Sequence, residues 1–257
     1  MRANALDVEI VGEGPDLVLL HSLLTDRTSY VALAERLASK RRLILLNMPG
    51  FGTSPPAEPL AGYADRIADL FGELSLSPET DVLGNGLGGF VGLNLAIRHG
   101  ERFNRLVLIG SAVAFPGPGR ATFRAMAEKA EANGMAPLAD TAMLRMFPQD
   151  YIDANPAVIA DRKRVFNAID PGVFAAACRA LAALDLAPDL AGIRNEVLVV
   201  VGENDSATGA SLGRELAARL PRAEIIELKG AGHAPHMQAP GALVQAIGPF
   251  LGLVGGA

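Results

Sequence analysis

The stretch Asp81-Val82-Leu83-Gly84-Asn85-Gly86-Leu87-Gly88-Gly89-Phe90 decides how the rest of the chain is read. A short apolar run enters a cluster of glycines and leaves it as a helical pattern, Leu87–His99. A chain that turns this sharply from a buried strand into a helix sets the turn residue at the carboxyl end of a sheet. In the G-x-S-x-G elbow that residue is a nucleophile, and the flanking glycines let strand and helix approach closely. The helix N-terminus beside it offers backbone donors to an oxyanion. Here Gly84, Gly88 and Gly89 keep the frame, but the central position is Gly86, which has no side chain to attack with. The same residues also fit G-x-G-x-x-G through Gly84, Gly86 and Gly89. A dinucleotide site wants that pattern early in the fold, with a carboxylate closing the next strand. Other strands precede it here, and the next run ends Leu108-Ile109-Gly110-Ser111, so the nucleotide reading is the weaker one.

Outward from the elbow, short apolar runs alternate with helical patterns. Leu17–Leu20, Leu43–Leu46, Asp81–Leu83, Leu106–Ile109, Val197–Val201 and Ile225–Leu228 are expected as buried strands, and Asp7–Val11 as an antiparallel lead-in. Tyr30–Ser39, Tyr63–Leu74, Leu87–His99, Gly209–Leu220 and Ala242–Leu251 are expected as helices. The alternation predicts an α/β fold with a mostly parallel central sheet flanked by helices on both faces. It is interrupted once. Residues 115–189 are Ala-, Met- and Phe-rich, helical in pattern and without a strand, and are expected as a helical cap inserted in a single domain spanning 1–257. Phe123, Met126, Met143, Met146, Phe147, Phe166 and Phe174 exceed what one surface helix needs. They form the insertion's own core or line a pocket beneath it.

Composition narrows the partners. Half of the 257 residues are hydrophobic and 20% charged, the balance of an ordinary globular chain. A net charge of −5 disfavours nucleic acid and anionic membranes, which need clustered basic surface. The densest basic run, Lys40-Arg41-Arg42, is expected as a solvated loop. No apolar run approaches the length of a bilayer span, and Met1 to Ile10 lacks a leader's long apolar core, so a cytoplasmic protein is expected. The lone Cys178 sits in an Ala-rich helical stretch and reads as a small buried hydrophobe. His99 ends a helix, where a cation suits the dipole, and His236 packs or hydrogen-bonds within its loop. The histidines show no metal-ligand spacing; neither metal nor cofactor is expected.

Two more strand ends complete the pattern. Val197–Val201 runs into Gly202-Glu203-Asn204-Asp205, and Ile225–Leu228 runs into Lys229-Gly230-Ala231-Gly232-His233. An acid placed so orients an imidazole and stabilises its cation, while the histidine moves the proton. Singly, Asp205 could be a turn cap and His233 a loop residue. Elbow, acid and histidine in this order follow the chain order of α/β-hydrolases, and the chain resembles that superfamily over nearly its whole length. His21-Ser22-Leu23-Leu24-Thr25-Asp26 resembles the Asn-Ser-Leu-Gly-Thr-Asp loop of 3-oxoadipate enol-lactonases. Asn47-Met48-Pro49-Gly50-Phe51-Gly52-Thr53-Ser54 resembles the Pro-Gly-x-Gly-x-Ser loop shared with carbon–carbon bond hydrolases and many esterases.

The resemblance implies a lid, a pocket beneath it, and a small ester, lactone or diketone as substrate. The loop after the first parallel strand and the elbow give backbone oxyanion donors at Leu23 (or Ser22) and Leu87 in hydrolases. Ser22, Asn85 and Phe51 are candidate substrate contacts, and Ser22 either bonds substrate or merely caps its loop. The resemblance also implies a serine where Gly86 stands. Glycine there relieves a strained positive-φ turn worth about 1–3 kcal/mol and removes the nucleophile, which is also what a deliberate knockout would leave. Three readings follow: a weakly active or inactive hydrolase in which His233 activates water; a His–Asp lyase, isomerase or cofactor-free oxygenase; and a protein that binds a small ligand without converting it. Substrate identity and oligomeric state are not legible in the sequence.

Overall fold

The computed structural model describes residues 5–253. The outer ends of the 1–257 domain, and the first residues of the stretch read for a leader, lie outside the described residues. The strands are β1 (Val8–Val11), β2 (Asp16–Leu20), β3 (Arg42–Leu46), β4 (Asp81–Asn85), β5 (Arg105–Ile109), β6 (Glu196–Gly202) and β7 (Ala223–Leu228). They form one sheet in the order β1-β3-β2-β4-β5-β6-β7. Only the β1–β3 pair is antiparallel, Val8 facing Leu46; every other pair is parallel. Each apolar run lies inside one of these strands.

The runs are continuous because both faces are covered. Along β2, Val18 and Leu20 enter one core while Leu17 and Leu19 enter the other. The first core is closed by α2 (Ala61–Glu73) and α3 (Leu87–His99), the second by α1 (Val31–Leu37) and α11 (Pro240–Ile247). The helix expected over 242–251 starts two residues earlier because Pro240 is set for a first helical turn, and it ends earlier too. α9 (Ala210–Arg219) follows β6, and the short α10 (Pro235–Gln238) follows β7. Parallel pairing puts the carboxyl ends of β2, β4, β5, β6 and β7 on one edge, which is where an open α/β sheet builds its site.

Five helices lie between β5 and β6: α4 (Gly117–Asn133), α5 (Ala139–Met146), α6 (Gln149–Ala154), α7 (Pro156–Asn167) and α8 (Pro171–Ala183). The segment is pinched at its base, where the Leu186 N–H donates to the Val113 carbonyl at 3.0 Å. Asp170 caps α8 by accepting the Val173 N–H at 2.9 Å. Phe166 and Phe174 meet edge to face with ring centroids 5.6 Å apart, knitting α7 to α8.

One expectation is corrected. The Lys40-Arg41-Arg42 run is not a solvated loop: Arg41 is buried, ion-paired to Asp81 at 2.8 Å and bonded to the Leu251 carbonyl, while Arg42 pairs with Asp16. The acid lies 40 residues away in sequence and only the strand order brings it close.

Two histidines are locked neutral in this frame. His21 donates from Nδ1 to the Ser22 carbonyl at 2.8 Å and accepts the Met48 N–H on Nε2 at 3.0 Å, tying the loop after β2 to the loop after β3. Burial lowers its pKa to about 4. His236 lies against Tyr30 with ring centroids 4.7 Å apart, and neither of its ring nitrogens has a hydrogen-bond partner among the described residues. Burial first, then electrostatic repulsion from the neighbouring His233 and Arg162, lower its pKa to about 3.

Both rings take up a proton more readily in the unfolded chain than in the fold. Their contribution to stability is full above the ordinary histidine value of 6.5 and is lost as pH falls toward about 4 for His21 and about 3 for His236. Urea unfolding measured as a function of pH should show stability falling through that window, each ring contributing up to about 1.4 kcal/mol per pH unit. His236→Leu should remove one ring's share of the slope. Arg41→Met should cost about 3–5 kcal/mol in the same assay, because it strands the buried Asp81 charge. Replacing both partners by apolar residues should recover most of that loss.

Candidate active site

At the turn from β4 into α3, Gly86 has φ 53° and ψ −116°. This left-handed conformation strains any residue with a Cβ, and glycine adopts it freely. The turn is fixed by the Gly86 N–H donating to the Ile109 carbonyl at 2.9 Å, and by the Phe90 N–H returning to the Gly86 carbonyl at 3.1 Å. The elbow therefore keeps its shape around a residue with no side chain. A Cβ added to Gly86 would meet two polar atoms, His233 Nε2 and Ser22 Oγ, each at 2.8 Å. Base and hydroxyl thus converge on the space that a nucleophile's side chain would enter.

His233 is aimed by a chain of contacts. Its Nδ1–H donates to Asp205 Oδ2 at 2.8 Å, which leaves the Nε2 lone pair facing Gly86. Asp205 does two jobs at once: its other oxygen, Oδ1, accepts the Ala207 and Thr208 N–H groups, each at 2.8 Å. One oxygen of Asp205 caps its turn while the other bonds the imidazole. Asp205 and His233 are buried, which strengthens the bond between them.

Asn85 and Phe51, expected at the substrate, stand elsewhere. Asn85 Nδ2 donates to the His233 carbonyl at 2.8 Å and holds the histidine loop from below. Phe51 packs edge-on to His21 at 4.8 Å and braces the loop after β2. Neither is part of the cavity wall. Ser22, Leu23, Gly86, Leu87 and His233 do line it. Leu87 is the first residue of α3, so its N–H has no helical carbonyl to bond and is free for an oxyanion. The loop carrying Leu23 is tied to the inserted helices by Arg162, whose guanidinium donates to Thr28 Oγ1 at 3.1 Å.

Gly110 carries no signal of its own in the sequence, yet the pair depends on it. It follows β5 with φ 60°, and a Cβ there would come within 2.6 Å of both Nδ1 and Cε1 of His233. The clue available beforehand was only its place, one residue past a buried strand end beside the elbow.

The inserted helices roof the site. Phe123 and Met126 reach the cavity, whereas Met143, Met146, Phe147, Phe166 and Phe174 are buried in the shared core. Arg145 and Leu181 complete the roof. The cavity is partly open to the surface and leaves about 30 Å³ of free space, room for one or two waters. Admitting a substrate requires the flexible roof side chains to move. Cys178 lies in α8 away from this wall, and burial pushes its thiol up to about 12. His99, at the end of α3, bonds Asp65 at 2.7 Å. No single helix among the described residues is long and apolar enough to cross a membrane.

A hydrogen-bonded His–Asp pair facing an open N-terminal amide can take a proton from a small nucleophile and hold the resulting oxyanion. The chain is 30% identical to the pimeloyl-[acyl-carrier protein] methyl ester esterase of Aeromonas salmonicida, over 96% of this chain and 100% of that one. It is 28% identical to 3-oxoadipate enol-lactonase 2 of Acinetobacter baylyi, over 91% and 87%. Its fold superposes on the crystal structure of the enol-lactonase from Burkholderia xenovorans LB400 with a TM-score of 0.89 at 30% identity, covering 96% of each chain. Residues 17–246 match the profile of the alpha/beta hydrolase family, and the chain belongs to that family.

Proposed function

We propose that this protein hydrolyses a small ester or lactone by direct attack of water, with His233 as general base and no acyl-enzyme. The observation that carries this reading is the convergence of His233 Nε2 and Ser22 Oγ on the space above Gly86. A water there takes the place of the missing side chain, accepting from Ser22 Oγ–H and donating to Nε2. The esterase and enol-lactonase relatives support the substrate class.

The steps follow from the geometry. His233 takes a proton from water as the water oxygen bonds to the acyl carbon, and Asp205 stabilises the imidazolium. The N–H groups of Leu23 and Leu87 receive the charge developing on the carbonyl oxygen. The bond to the alcohol oxygen then breaks, His233 returns its proton to that oxygen, and the acid leaves. Loss of the nucleophile makes this a slow catalyst. Oxyanion donors and binding alone sustain about 10³–10⁴-fold over water in triad enzymes stripped of a member. The inserted helices act as the lid, excluding bulk water once substrate is seated.

Pre-steady-state assays on an aryl ester should show slow linear turnover with no burst, and a fluorophosphonate probe should leave the protein unlabelled. His233→Ala should lower kcat by about 10²-fold or more. Unchanged turnover in that variant would refute the reading. Gly86→Ser should place a hydroxyl beside His233, giving a burst and covalent labelling at residue 86. It should also lower stability by about 1–3 kcal/mol, because the new Cβ must sit at φ 53°. A Gly86→Ser variant that neither labels nor turns over would show that His233 and the oxyanion donors are not competent for acyl transfer.

A further inference from the structure

The turn that carries Leu23 is held at both ends, by different parts of the molecule. At its start the Ser22 carbonyl accepts His21 Nδ1–H at 2.8 Å, and the Thr25 N–H closes the turn onto the same carbonyl at 3.4 Å. The Leu23 N–H between them bonds no group among the described residues, which leaves it available to an oxyanion. The far end is held from the insertion. One guanidinium nitrogen of Arg162, on α7, donates to Thr28 Oγ1 at 3.1 Å and lies 3.5 Å from Thr25 Oγ1. The direction of that bond is set, because the single hydroxyl proton of Thr28 goes to Asp26 Oδ1 and its lone pairs face Arg162.

Arg162 is only 9% exposed, and its other two nitrogens are committed to Asp161 Oδ2. With two corners of a planar fork fixed, the third is aimed. Other ion pairs of the inserted helices stay within the insertion: Arg164 with Asp161, Lys163 with Asp140, Arg179 with Glu131. Arg162 instead crosses to the loop after β2. Its helix is knitted to α8 by Phe166 and Phe174, so the Thr25 end of the turn takes its position from the insertion. The second donor, the Leu87 N–H, stands on α3 and owes nothing to this contact.

From this we infer that Arg162 is a positioning residue: with α7 seated it holds the 22–25 turn, and with it the Leu23 amide, in the place where an oxyanion is received. The oxyanion hole is then completed by the insertion rather than by the sheet alone. The duty of the Leu23 amide rests on the function proposed above, but the hold of Arg162 on the turn does not, because the binding of an inert anion reads it without turnover.

Three ligands of one shape separate the oxyanion donors from the rest of the pocket: phenyl acetate, its tetrahedral anionic mimic phenyl methylphosphonate, and its planar uncharged mimic phenylacetone. Arg162→Met keeps the stem and loses the donors. It should lower kcat for phenyl acetate and the affinity for the phosphonate together, by roughly 10- to 100-fold, short of deleting a whole oxyanion donor. KM and the affinity for phenylacetone should hold. Thr28→Val breaks the same contact from the other side without altering any charge, so it should reproduce the loss, and the double variant should be no worse than the worse single one. Arg162→Lys, with its charge and one donor in reach, should keep part of the affinity. A parent protein that binds the phosphonate no better than phenylacetone overturns the inference. So does unchanged phosphonate affinity in Thr28→Val, or an equal loss of phosphonate and phenylacetone, whether or not Arg162→Met folds. Phosphonate affinity that follows the Arg162–Thr28 pair, with no turnover of phenyl acetate by any variant or the parent, keeps the positioning role and refutes the hydrolase reading instead.

Discussion

The bond from His233 to Asp205 is the point at which the sheet, the loops and the inserted helices are made to agree. Its acid is held at the end of β6 by two amides of its own loop. Its base is held after β7 by Asn85 from β4 and by Met146 from the insertion. The floor under both is Gly110, where a methyl group would strike the imidazole. Separate stretches of chain therefore have to be right together for one 2.8 Å contact to form. Such a network rigidifies when every member is satisfied and is costly when one is left unpaired, so the geometry is all-or-none. Its completeness beside a glycine at the elbow is the main physical reason to propose that the site moves protons.

Gly86 separates shape from chemistry. In a protein with an elbow nucleophile, the strained turn and the reactive side chain come together, and the fold carries the strain for the sake of the reaction. Here the φ of 53° persists although glycine imposes no such conformation. The turn is therefore dictated by its surroundings: the Ile109 carbonyl that receives the Gly86 N–H, and the α3 amides that return to the Gly86 carbonyl. A side chain is not needed to make the elbow. That independence lets the Leu87 amide and His233 hold their places around a residue with no side chain.

What was legible in the sequence is what is written locally. Strand runs such as Val197–Val201 announce themselves because both sheet faces are covered, and α3 is bounded by the glycine cluster and His99. Asp205 and His233 were legible because each sits just past such a run. Asn85 and Phe51, expected at the substrate, bond and pack away from the cavity wall, because adjacency in a motif says nothing about which way a side chain turns. Asn85 turns under the sheet edge toward a carbonyl 148 residues on. Arg41 was misread for the same reason, since its acid is brought close only by the strand order. Arg162, inside the charged run Asp161-Arg162-Lys163-Arg164, has no local mark that distinguishes a strut to the loop after β2 from a solvated side chain.

The last constraint runs between the insertion and the reacting groups. A lid joined to its sheet only by side-chain packing could slide with little effect on the chemistry beneath. Here α5 is fastened through backbone carbonyls to the acid loop and the histidine loop, and α7 reaches the oxyanion-side loop through Arg162. Packed elements tend to hold discrete arrangements rather than deform continuously. With about 30 Å³ free beneath the roof, a larger ligand would meet roof side chains, Phe123 and Met126 among them, before the fastened backbone of α5. The soft part of the roof is thus its apolar side, and the hard part is the strip of α5 bonded to the loops that hold Asp205 and His233.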